Sequence, residues 1–212
     1  MDSQEGYLLV VEDIPDILNL LEATLKFKGH RVVTARNGEE ALSAIVKERP
    51  ALIIADILMP KMDGFSMVHR LRINPETRAI PVVFLSATYI APEDKAFALS
   101  LGATRFIEKP VDLGKFLPII ERILKQGMPA EIEPLDEHEF YEGYRKRLES
   151  KLVQKTTQIA RDERLIGNLS EAEKPAFRKS LQQAISERGE IQLLLVQVRE
   201  RLEKTTPRSN PH

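Results

Sequence analysis

The sequence predicts an α/β fold: a doubly wound, five-stranded parallel sheet with helices on both faces, followed by an α-helical hairpin. Three observations carry this. From about residue 7 to 126, short β-rich apolar runs alternate with segments of helical period; polar residues interrupt those runs at their carboxyl ends; and from residue 140 to 204 the chain turns to Glu, Lys, Arg, Gln and Leu with few helix breakers.

The apolar runs are YLLVV (7–11), RVVTA (31–35), ALIIAD (51–56), PVVFLSA (81–87) and TRFIEK (104–109), and each reads as a strand. Between them lie five helices. Pro15 suits the first turn of one running to Phe27, with Gly29 as its stop. Asn37 and Gly38 open the second, which ends before Pro50. Gly64 to about Ile73 forms the third, Pro92 to Leu101 the fourth with Gly102 behind it, and Asp112 to Gln126 the fifth, in which Gly114 and Pro118 loosen the early turns. Right-handed crossovers make a doubly wound parallel sheet the economical topology, and such sheets bind ligands beyond the carboxyl ends of their strands. Asn74-Pro75 reads as a helix end, and Arg70, Arg72 and Arg78 as a solvated face; His30, His69 and His138 have no partner pattern and read as surface residues.

A net charge of -1, with 31 basic against 32 acidic residues, argues against a polyanion-binding surface. The absence of cysteine excludes disulfides and thiolate metal sites and is compatible with a reducing cytoplasm. No run of eighteen apolar residues occurs and the amino-terminal stretch has no basic region ahead of a long apolar one, so a cytoplasmic protein without membrane association is expected.

Glu12 and Asp13 follow the first run, Asp56 ends the third, Ser86 lies near the end of the fourth and Lys109 closes the fifth. Each alone has an ordinary reading, as a helix N-terminus, a turn or a strand-end cap. Together, at successive ends of one sheet, they converge. Three carboxylates without Cys or His make a hard-oxygen site suited to Mg2+. An aspartate accepts a phosphoryl group only if negative charge is neutralised, which the metal and Lys109 would supply, while the Ser86 hydroxyl can bond a phosphoryl oxygen.

The stretches LLVVEDIPDI, ALIIADILMPKMDGF, PVVFLSA and FIEKPVD resemble, in order and spacing, the receiver domain of two-component response regulators, over about residues 6–126. The resemblance implies that Asp56 is the phosphoacceptor, that Glu12, Asp13 and Asp56 hold Mg2+ with the Leu58 backbone carbonyl, and that Ser86 and Lys109 contact the phosphoryl group. It places Phe106 and Ser86 as switch residues and implies a cis peptide before Pro110. Glu12, Ser86 and Phe106 depart mildly from the commoner Asp, Thr and Tyr; Phe106 can switch by packing but has no hydroxyl to bond. A partner histidine kinase or phosphotransfer protein follows from the same resemblance, with no enzymatic activity beyond self-phosphorylation and self-dephosphorylation.

The expected divisions are a receiver domain over 1–126, a linker over 127–137, a helical hairpin over 138–205 and a disordered tail over 206–212. In the hairpin, Phe177, Leu181, Ala184, Arg188, Ile191, Leu195, Val198 and Leu202 succeed one another in steps of four and three, a coiled-coil-like seam interrupted at Arg188. Leu148, Leu152, Lys155, Ile159, Asp162, Ile166 and Leu169 form a weaker seam, and Phe140 and Tyr144 extend it upstream. Gly167 to Ser170 reads as a stop and a cap, with Glu173 completing a capping box. Leu193, Leu194 and Val196 lie off the seam, so a homodimer that buries them is expected. With fifteen basic and fifteen acidic residues from 131 onward and no basic face, the tail is expected to reach a downstream protein target rather than nucleic acid. The alternative is a phosphorylation-independent scaffold or dimerisation module built on the same fold.

Overall fold

The structure is a computed structural model, which describes residues 6–127, 133–167, 170 and 174–205. It divides into two compact units, residues 1–135 and 136–212.

The first unit alternates β1 (Leu8–Val11), α1 (Pro15–Phe27), β2 (Val32–Ala35), α2 (Gly38–Lys47), β3 (Leu52–Asp56), α3 (Gly64–Ile73), β4 (Val82–Ser86), α4 (Pro92–Ser100), β5 (Arg105–Glu108) and α5 (Leu113–Gln126). The strands pair in parallel in the order β2-β1-β3-β4-β5. β1, β3 and β4 are apolar and buried along their length because helices cover both faces, whereas β5 closes one edge and is exposed at both ends. One layer of core joins Leu8, Val10, Ile54, Val83 and Leu85 of the sheet to Leu18, Leu21 and Leu25 of α1 and Phe116, Ile120 and Ile123 of α5.

Helix starts follow local chemistry. The Asn37 side chain accepts from the Glu40 N–H, Asp63 from Ser66 and Asp112 from Gly114, each satisfying a free amide of a first turn. Pro15 and Pro92 sit in first turns, where a missing N–H costs little. Gly29 and Gly102, behind α1 and α4, adopt φ of 86° and 88°. Helix α5 runs from Leu113 to Gln126 with Gly114 and Pro118 inside it.

Two residues read as surface positions are buried. Arg72 is 2% exposed and donates to the Arg78 carbonyl at 2.9 Å and the Gly102 carbonyl at 2.8 Å, tying the end of α3 to the loops before β4 and β5. Desolvation lowers its pKa to about 10, which leaves it charged at neutral pH. His69 is 4% exposed, with Nε2 3.2 Å from the Leu135 carbonyl. The local sequence around His69 and Arg72 cannot reveal that other segments lie over them.

The second unit consists of α6 (Glu137–Ile166) and α7 (Lys174–Thr205), which pack against one another. Asp136 and Glu139 form a capping box that starts α6 one residue ahead of the expected boundary. Leu148 and Ile159 on α6 and Ala184, Ile191, Leu195 and Val198 on α7 are buried. Lys155, a polar interruption of the α6 seam, reaches Glu187 of α7 at 2.6 Å, and Asp162 is buried beside Arg161. The expected cap partner Glu173, the 206–212 tail and residues 128–132 of the linker lie outside the described residues.

Candidate functional site

Glu12, Asp56, Ser86 and Lys109 stand at or just beyond the carboxyl ends of β1, β3, β4 and β5, and parallel pairing brings those ends to one edge. Glu12 is held by its own N–H, which donates to the Ala35 carbonyl at 3.0 Å, while its Oε1 accepts from the Ile14 amide at 3.3 Å. Asp56 Oδ1 accepts from the Ile57 amide at 2.6 Å. The Lys109 amide donates to the Ser86 carbonyl at 2.9 Å, extending the β4–β5 ladder by one residue. From there its ammonium reaches Glu12 Oε2 at 2.6 Å and Asp56 Oδ2 at 2.5 Å. The peptide between Lys109 and Pro110 is cis.

Glu12, Asp13 and Asp56 each offer a carboxylate oxygen within 4.8 Å of the others. Glu12 and Asp56 are buried, Asp13 half-buried. Desolvation raises the pKa of all three, and the Asp56 charge raises Glu12 and Asp13 further; the Lys109 ammonium opposes this at each acid. Burial would lower Lys109 itself, but Asp56 and Glu12 outweigh it and the pKa rises. One ammonium against three acids leaves excess negative charge that a divalent cation would neutralise, and the all-oxygen donor set suits Mg2+.

Ser86 is buried, and its Oγ accepts from the Thr88 and Tyr89 amides at 3.2 and 3.1 Å, which orients the hydroxyl at the strand end. Leu58 follows Asp56 by two residues and is half-buried. Phe106 is half-buried on the edge strand, in register with Phe84. Thus the carboxylates and Lys109 are in direct contact or within reach of one ion, Ser86 borders them, and Phe106 occupies β5 rather than the acidic cluster.

Further residues shape the loop beside the acids. Gly64 donates its N–H to the Ile57 carbonyl at 2.8 Å, and a Cβ there would come 2.3 Å from the Asp56 carbonyl oxygen, so the residue closing the loop after Asp56 must be glycine. Gly38 likewise donates to the Met62 carbonyl, and a Cβ would meet Met62 Cγ at 2.7 Å. Lys61 adopts a left-handed φ of 65° in the same loop. Phe65 packs edge-on against Phe84, Tyr89 and Phe97, joining α3, β4 and α4 beneath the site. The sequence marked Gly38 and Gly64 as helix starts, whereas Lys61 and Phe65 escaped sequence reading.

The family model for the response regulator receiver domain matches residues 8–121, and the chain belongs to that family. It is 34% identical over 117 residues to protein PilH of Pseudomonas aeruginosa, covering 55% of this chain and 96% of that one. It is 40% identical over 105 residues to response regulator PleD of Caulobacter vibrioides, covering 50% of this chain but 23% of PleD. The probable transcriptional regulator ycf27 of Pyropia yezoensis matches at 34% over 127 residues, 60% of this chain and 51% of its own length, so the chain spans about half or less of these two larger relatives. Among solved structures it is similar to the signal receiver domain of a histidine kinase from Syntrophus aciditrophicus (TM-score 0.54, 35% identity, 62% of this chain and 98% of that one). It is also similar to chemotaxis response regulator CheY4 of Vibrio cholerae (TM-score 0.52, 33% identity, 56% and 98%). Helices α6 and α7 lie outside the family match.

Proposed function

We propose that this chain is a phosphorylation-responsive regulator in which Asp56 accepts a phosphoryl group from a partner histidine kinase or phosphotransfer protein, and in which the carboxyl-terminal hairpin carries the output to another protein. The observation that carries it is the placement of three acids and Lys109 around one point at the sheet's carboxyl edge. Glu12, Asp13 and Asp56, with the Leu58 carbonyl, would hold Mg2+. Bound there, the ion would neutralise donor and carboxylate charge.

Within that site an Asp56 carboxylate oxygen is the nucleophile for the donor's phosphorus, and the bond from phosphorus to the donor's leaving atom breaks. The Lys109 ammonium, already at Asp56 Oδ2, is placed to exchange that contact for a phosphoryl oxygen. The Ser86 hydroxyl would donate to a second. Phe106 follows by repacking on the edge strand. Residues 1–126 act as the receiver and 138–205 as the output element in this reading, joined by the segment between them. Among the described residues no helix is long and apolar enough to cross a membrane, in keeping with a cytoplasmic site of action.

Thermal unfolding with Mg2+ and beryllofluoride tests the reading. A phosphoryl mimic that needs both Asp56 and the metal raises the midpoint only when Mg2+ is present, and Asp56→Asn abolishes the rise. A midpoint in the wild-type chain that beryllofluoride leaves unmoved contradicts it.

A further inference from the structure

His69 sits in the middle of α3, buried, with its Nε2 3.2 Å from the Leu135 carbonyl. A carbonyl only accepts, so Nε2 carries the hydrogen and donates it. The next residue, Asp136, already starts α6: its side chain accepts from the Glu139 N–H and its carbonyl from the Phe140 N–H. No slack therefore separates the carbonyl held by His69 from the first turn of that helix. At its amino end α3 meets the acidic site equally tightly. The Gly64 N–H donates to the Ile57 carbonyl, and a Cβ on Gly64 would come 2.3 Å from the Asp56 carbonyl oxygen. From Gly64 to His69 is about 7.5 Å along the helix axis. Seven of the ten residues of α3 are buried, so the helix is held along its length and passes on a displacement rather than bending.

We infer that His69 is a clasp on the segment that leads into α6, and that α3 carries the state of the Asp56 loop to it. The inference deepens the proposed function and rests on it for the trigger: with Mg2+ held by Asp56 and the Leu58 carbonyl, the loop between β3 and α3 is drawn toward the ion. That loop has few ways to yield. Gly64 closes it on Ile57, the Met62 carbonyl accepts from the Gly38 amide, and Asp63 accepts from both the Ser66 amide at 2.9 Å and the Ser66 hydroxyl at 2.6 Å. The displacement therefore passes into α3. The clasp is the contact that gives, because 3.2 Å is already at the long end of the N–H···O range and a further shift of about 0.5 Å opens it. This route is separate from Phe106, which stands on β5.

Amide hydrogen exchange in the full chain, read by mass spectrometry over Glu137 to Tyr141, tests both parts. His69→Phe keeps a ring of similar size and removes the donor, and should speed exchange there about tenfold or more while the strands stay protected. His69→Gln returns an amide N–H near the Nε2 position and should restore slow exchange. In the wild type, Mg2+ with beryllofluoride should speed the same amides about threefold or more. His69→Phe, already open, should show no further change there, although its thermal midpoint still rises with the mimic. Unchanged exchange in His69→Phe, or fast exchange that persists in His69→Gln, would overturn the clasp. A wild-type midpoint that rises while these amides stay unchanged would overturn the route through α3. A midpoint that does not rise counts against Asp56 as the acceptor instead, and the His69→Phe and His69→Gln pair then decides the clasp by itself.

Discussion

Gly64 and Asp56 constrain one another: the backbone of α3 starts so close to the end of β3 that even a methyl group would press on the Asp56 carbonyl. Gly64→Ala is expected to cost about 1–3 kcal/mol by denaturant unfolding, through displacement of the loop that carries Leu58 and Lys61. Removal of Arg72 acts differently. Arg72→Ala strands the buried Gly102 carbonyl, frees the Arg78 carbonyl and leaves a void, for about 2–4 kcal/mol, whereas Arg72→Met keeps the packed stem and loses less. The acidic cluster sets a pH dependence. Glu12, Asp13 and Asp56 have raised pKa values, so between about pH 4, where such acids titrate in the unfolded chain, and their folded values the native state binds the extra protons. Without Mg2+, this site's contribution to stability therefore falls as pH rises through that window. Mg2+ at a hundred times its dissociation constant should return about 2.7 kcal/mol, and Asp56→Asn should flatten the metal-free profile. Midpoints measured from pH 5 to 8 with chelator or Mg2+ check the sign, and a metal-free midpoint that rises with pH equally in wild type and Asp56→Asn contradicts this assignment. The site's acids were legible in the sequence because they interrupt apolar runs at strand ends. Arg72 and His69 were not, since their burial depends on segments distant in the chain that no local pattern encodes.

The five strands and five helices of the first unit lie within a residue or so of their sequence-based bounds, because period and punctuation agree at each of them: Pro15, Gly29, Asn37, Gly64, Pro92 and Gly102 all mark real ends. Strand order needs pairing between distant segments, so it came only with the structure. In the second unit, Asp136 with Glu139 carried a readable capping pattern but sat in a stretch whose Pro content suggested a connection. The α7 seam follows its heptad steps, with Ile191, Leu195 and Val198 buried. Ile191→Ala should cost about 2–4 kcal/mol, seen as earlier melting of helical circular dichroism and faster amide exchange in α6 and α7, with little change in the sheet. The Lys155–Glu187 pair is partly exposed, so Lys155→Met is expected to change stability by under about 1 kcal/mol.

At the level of the molecule, the two units carry separate cores, and the matched solved chains are covered almost completely by the first unit's share of the sequence. Residues 1–135 alone are therefore expected to unfold cooperatively and to retain Mg2+ binding. The central claim is that Asp56 is the phosphoacceptor, and intact-mass measurement after incubation with acetyl phosphate and Mg2+ tests it most directly. The wild-type chain should gain the mass of one phosphoryl group, lost on chelation of the metal before the reaction and absent in Asp56→Asn. An unchanged wild-type mass, or an adduct that persists in Asp56→Asn, would contradict it.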